Sequence, residues 1–141
     1  MKVNVLWLIA ATGLAIAGCN QAESPADVRQ DVADAQTEAQ RDVADAQADA
    51  QEGIADAQQD VTQAQADGDT GDVADQAQGA GEAVAEGDYR VAVAQAEAAH
   101  KVATEKCDAM SGTEQEDCKQ GADGELERAK RDAQMRRDGS G

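Results

Sequence analysis

Three cysteines and one histidine are the residues whose types could carry distinctive chemistry in this chain, and each stands in a telling place. Cys19 follows an apolar N-terminal run. Cys107 and Cys118 flank Met110-Ser111-Gly112-Thr113, a helix-breaking stretch in which Gly112 suits the left-handed conformation. Along one continuous helix those two cysteines would lie about 16 Å apart, beyond bonding reach. Across a helical hairpin they would face each other near the turn. A disulfide is the leading expectation, worth about 2–3 kcal/mol for so short a loop. A redox pair and a metal site are the alternatives. The spacing is not C-x-x-C, and His100 with two cysteines leaves zinc one ligand short unless a carboxylate joins.

Other chemistries find little support. The string Asp67-Gly68-Asp69-Thr70-Gly71-Asp72 invites a calcium-loop reading. It departs from the EF-hand pattern: Gly takes the fifth position, Asp the sixth, and Gln78 stands where Glu is required. No Ser/His/Asp set or Gly-rich phosphate loop can be assembled, so the expectation is no enzyme, no catalytic residue, no cofactor and no small-molecule substrate. Aromatic residues are 1% of the chain, and its 41% hydrophobic fraction is largely Ala. Alanine buries little area, so an enclosed pocket is hard to build. Residues 19–90 carry 18 Asp/Glu against 3 Lys/Arg, and the whole chain has net charge −17. A polyanion of this kind repels nucleic acid, which is excluded as a partner.

The N-terminus reads as an address. Lys2 precedes a nearly unbroken apolar run from Val5 to Ala17, too short to span a bilayer comfortably but suited to a secretory signal. Ile16-Ala17-Gly18-Cys19 resembles the lipobox of bacterial envelope lipoproteins. The resemblance implies a signal peptide of residues 1–18, cleavage before Cys19, and lipid attachment (diacylglycerol and an acyl chain such as palmitate) at that cysteine. Several acyl chains hold a soluble body durably where one does not. Asn20 stands where an Asp would be the usual inner-membrane retention signal, so the resemblance implies an outer-membrane anchor facing the periplasm. Ordinary cleavage after Ala15-Ile16-Ala17 is the competing reading, and an uncleaved membrane helix is a third. Cysteine arithmetic favours lipidation, because it leaves an even pair, Cys107 and Cys118.

The elements expected to position these residues are all helical. Ser24-Pro25-Ala26-Asp27 reads as a capped helix start. Asp31-Val32-Ala33-Asp34-Ala35-Gln36 returns as Asp42-Val43-Ala44-Asp45-Ala46-Gln47, and again from Gly53-Ile54, with a period of 11 residues. Such a period gives a straight or slightly right-handed seam. The seam runs Val28, Val32, Ala35, Ala39, Val43, Ala46, Ala50, Ile54, Ala57, Val61, Ala64. It suits self-association, a partner helix of the same chain, or a solitary helix. Like charges at i, i+4, such as Asp34/Glu38 and Asp45/Asp49, oppose tight packing between copies.

The expected organisation is therefore a signal (1–18), a tether (19–27), a repeat helix (28–66), a flexible Gly/Asp-rich linker (67–88), a helical hairpin (89–137) stapled by Cys107–Cys118, and a disordered tail (138–141). In the hairpin, Thr113-Glu114-Gln115-Glu116 reads as a capping box. The segment Glu105-Lys106-Cys107-Asp108-Ala109-Met110-Ser111-Gly112…Cys118 resembles a C-terminal motif of small exported proteobacterial proteins. That resemblance implies no activity. Together these features describe an all-α extended rod with a stapled hairpin and low globularity, acting as a non-enzymatic spacer or interaction module in the envelope. An acidic, conditionally folded protein protective in desiccation or osmotic stress is the alternative.

Overall fold

Ser24 begins the first helix as its sequence dictates. Its Oγ accepts from the Asp27 backbone N–H at 3.3 Å and donates to Asp27 Oδ2 at 2.7 Å, with Pro25 in the first turn. The computed structural model describes residues 22–68 and 70–139. Among the described residues there are three helices: α1 (Pro25–Asp67), α2 (Thr70–Cys107) and α3 (Gly112–Asp138). At 1.5 Å per residue, α1 is about 65 Å long.

The seam of α1 is covered from end to end. Each of its eleven residues is buried or half-buried, with Val28, Ala35, Ala39, Ala50 and Ala64 below a tenth exposed. The cover is α2, which runs antiparallel to α1 within the same chain. Gly87 makes the close approach possible. A Cβ there would sit 3.1 Å from Ala50 Cβ and 3.6 Å from Ile54 Cδ1. Glu38 and Lys101 close the contact with an ion pair.

On its other side α2 packs against α3. Ala96, Ala122 and Ala133 are buried there. Lys130 Nζ meets Glu97 Oε1 at 2.8 Å, and the Arg137 guanidinium carbon lies 4.6 Å from the Tyr89 ring centroid. Helix α2 is thus the middle of a three-helix layer, with α1 and α3 on opposite sides. The thin alanine core limits hydrophobic stabilisation, so polar pairs at the edges and a covalent staple supplement it.

Several expectations are corrected. The segment 67–88 is not a flexible linker: α1 runs to Asp67 and helix resumes at Thr70. Gly68 takes the left-handed conformation (φ 77°) that ends α1. Gly71, Gly79, Gly81 and Gly87 all lie inside α2. Packing against α1 outweighs the roughly 1 kcal/mol that each interior glycine costs. Three residues assigned to the tether, Pro25 to Asp27, are helical. The second hairpin helix starts at Gly112 (φ 60°) and not after a Thr113 cap; Ser111 holds the cap position in extended conformation without a side-chain cap bond. Asp138, placed in the tail, ends α3.

Candidate functional site

Cys107 and Cys118 form a disulfide, with Cα atoms 5.7 Å apart, joining the end of α2 to the first turns of α3. Cys107 is 1% exposed. The turn between the helices tightens before it leaves α2: Asp108, Ala109 and Met110 donate their backbone N–H groups to the carbonyls of Glu105, Lys106 and Cys107 at 3.3, 3.3 and 2.9 Å. These three-residue closures satisfy carbonyls that a helix end otherwise leaves unpaired.

The start of the chain's helical body docks on this turn. The Glu23 backbone N–H donates to the Asp108 carbonyl at 2.9 Å, immediately before the Ser24 cap. The Asp108 carboxylate accepts from Gln115 Nε2 and from Lys119 Nζ, both at 2.7 Å. Gln115 is 8% exposed, the one buried polar side chain of α3. Donating to Asp108 holds the Lys119 ammonium charged to higher pH than usual. Glu23 is pushed the other way for an acid. Partial desolvation, then the negative charges of Asp108, Asp31, Glu105 and Asp27, raise its carboxyl above the ordinary range. The arrangement is a mechanical junction. One staple, one backbone hydrogen bond and one triad of Asp108, Gln115 and Lys119 fasten three chain segments at one end of the layer.

Nothing matched. Comparisons of the chain with protein-family models, with curated proteins and with solved structures returned no similar protein.

The lipobox residues Ile16, Ala17, Gly18 and the lipid-attachment candidate Cys19 lie outside the described residues. Described chain begins at Ala22, three positions after Cys19. The bonded cysteines are not available as zinc ligands, and His100 instead shares a 2.7 Å hydrogen bond with Asp123 Oδ1. Among the described residues no group of His, Cys, Asp and Glu is placed to hold a metal ion. Of the calcium-like string, Asp67 ends α1 and Thr70, Gly71 and Asp72 lie in the first turn of α2. Among the described helices none is long and apolar enough to cross a membrane.

Sequence reasoning missed the junction. Gln115 and Lys119 sit four apart on one face of α3, a spacing that marks a shared partner. Their partner, Asp108, is seven and eleven residues away across a turn, and periodicity carries no signal for it. It likewise missed Arg137, which reaches Tyr89 and also Glu86 Oε2 at 3.5 Å, 51 residues away.

Proposed function

We propose that this chain is a lipid-anchored envelope protein whose helical layer acts as a spacer or interaction module rather than as a catalyst. The observation that carries the reading is the fastening of Glu23 to the stapled turn at Asp108, a few residues after Cys19. An acylated Cys19 would hold the body by its reinforced end. The antiparallel α1–α2 pair would then extend about 60 Å from the membrane surface. The tether from Cys19 to Ser24 is short, so the body would stand close to the bilayer at that end. The acidic side chains along α1 suit a body held off an anionic surface, since like charges repel.

Lipobox-like residues at 16–19, a signal-like apolar run and an even pair of remaining cysteines support the anchored assignment. Periplasmic exposure, with the outer membrane as the anchoring leaflet, follows from Asn20 and the resemblance. An oxidising compartment agrees with the Cys107–Cys118 bond.

The test is radiolabelled palmitate incorporation into the full chain, comparing wild type with Cys19→Ala, followed by membrane fractionation. Label and membrane association in wild type, both lost in Cys19→Ala, are the expected outcome. Unlabelled wild type in the soluble fraction would overturn the assignment. Low helicity in dilute buffer with a large gain on drying would point to the protective, conditionally folded reading instead.

A further inference from the structure

The charges of α1 are sorted by side. Every Asp and Glu of α1 falls on one flank of the buried seam or on the outer edge beyond it, in the columns of Asp31/Asp42, Asp34/Asp45/Asp56/Asp67 and Asp27/Glu38/Asp49/Asp60, with Glu52 beside them. The other flank carries Gln36, Gln47 and Gln58, then Gln40 and Gln51, with no acid in eleven-residue register. Glu38 pairs with Lys101, so the acidic flank faces the side of the layer that bears Lys101. The neutral flank faces the opposite side. There α1 and α2 form a shallow groove of about 580 Å³, lined by Gln40, Val43, Gln47, Ala98, Val102 and Lys106 among others.

Helix α2 continues this neutral face with one charge of each sign. Asp88 and Lys106 are both exposed and 18 residues apart, five full turns, so they project from the same side about 27 Å from each other. Arg136 borders Asp88 in the adjoining α2–α3 groove, which keeps that part of the face near neutrality. Val84 (42% exposed) stands one turn beyond Asp88 on the same side.

We propose that this face binds a second copy of the chain, with the two α2 helices antiparallel about a two-fold axis at the level of Gln95 and Ala99. A two-fold contact requires that if residue i meets j, then j meets i. The pair Asp88 and Lys106 is centred on position 97. One axis therefore sets Lys106 against the Asp88 of the second copy twice over. The same docking turns both acidic flanks outward, where solvent and salt screen them. Two adjacent helices, each about 10 Å wide and overlapping for about 40 Å, offer roughly 800 Å² per copy, the area a stable interface takes. The seam that suited self-association is occupied by α2; the surface left for a second copy is the acid-free one. The inference does not rest on lipidation of Cys19.

The test places a photo-cross-linking amino acid in the full chain at Ala99 or Ala44 on the neutral face, and at Asp45 on the acidic flank. Irradiation should give a product of twice the chain mass from the first two positions and none from the third. Lys106→Asp should lower that yield roughly tenfold, through like-charge juxtaposition, and Lys106→Asp with Asp88→Lys should restore it. Circular dichroism of each variant confirms folding, since both side chains are exposed. Monomer alone, products with other proteins alone, or equal yields from both flanks overturn the proposal. So does a dimer indifferent to the charge exchange, because the antiparallel register would then be wrong.

Discussion

Gly87 of α2 lies against Ala50 of α1 so closely that a methyl group on Gly87 would come within 3.1 Å of the Ala50 Cβ. This contact explains how an alanine seam with few large side chains holds a helix pair: the backbones approach until small groups fill the gap. The neighbour is a methyl fixed to a helix, so it yields only if the helix moves.

A comparison of glycines tests this directly. Gly79 and Gly81 have open space where a Cβ would go. Gly79→Ala and Gly81→Ala should each stabilise the protein by up to about 1 kcal/mol through helix propensity. Gly87→Ala should forfeit that gain, and Gly87→Val should destabilise by about 1–3 kcal/mol through overpacking. Thermal melts followed by circular dichroism will rank the four; a stabilised Gly87→Val would contradict the close-approach account.

Placing a charge on the seam should separate the intramolecular contact from solvent-facing positions. Ala39 is 6% exposed, whereas Ala48 in the same helix is exposed. Ala39→Asp buries an unpaired carboxylate and should cost about 3 kcal/mol or more, while Ala48→Asp should stay within about 0.5 kcal/mol. Urea titrations of the two variants give the comparison, and equal midpoints would mean that α2 does not cover the seam.

The disulfide closes a loop of 11 residues at the junction. Replacing both Cys107 and Cys118 with Ser should lower stability by about 3 kcal/mol. Because Asp108 sits next to Cys107 and carries the Glu23 contact, amide exchange at Glu23 should accelerate along with exchange in the turn. Hydrogen exchange read by mass spectrometry checks this; unchanged protection at residues 23–28 would show that the start of α1 is held independently of the staple.

Acid should relieve strain at the junction. The Glu23 carboxyl is raised, by partial desolvation first and then by Asp108, Asp31, Glu105 and Asp27. A raised folded-state value means that the fold favours the protonated form. The associated stability is present below the ordinary carboxyl value and is lost as pH rises through the raised one. Glu23→Gln should therefore melt above wild type at neutral pH, with the difference shrinking as pH falls below the carboxylate range. Lys119 and Lys130 behave in the opposite region. Hydrogen bonds to Asp108 and Glu97 raise them, so their contribution is complete below the ordinary lysine value and disappears in stronger alkali. Melting temperature against pH for the wild type and Glu23→Gln measures both limbs.

Much of α1 was legible because its repeat is regular. An 11-residue period fixes which residues share a face, and all of Val28 through Ala64 in that seam are covered in the structure. Ser24 and Pro25 announced the helix start for local reasons that operate in any context. The partner of the seam was not legible, since α2 has no matching period and its closest contact is a glycine. Gly68 and Gly87 look alike in sequence, yet one takes a left-handed turn and the other is buried in helix. Local propensity cannot distinguish them; the Ala50 contact does. The cysteine pair was readable from turn residues between two helical stretches. The Asp108, Gln115 and Lys119 triad depends on how that turn folds back, which spacing alone does not encode.

The central functional claim is lipidation of a signal-cleaved chain at Cys19, and intact mass spectrometry of the protein extracted from cell envelopes tests it most directly. The account predicts a polypeptide beginning at Cys19, heavier by its acyl groups and lighter by the two hydrogens of the Cys107–Cys118 bond. A chain that begins at Gly18 with an unmodified thiol following, or that still carries residues 1–18, would contradict it.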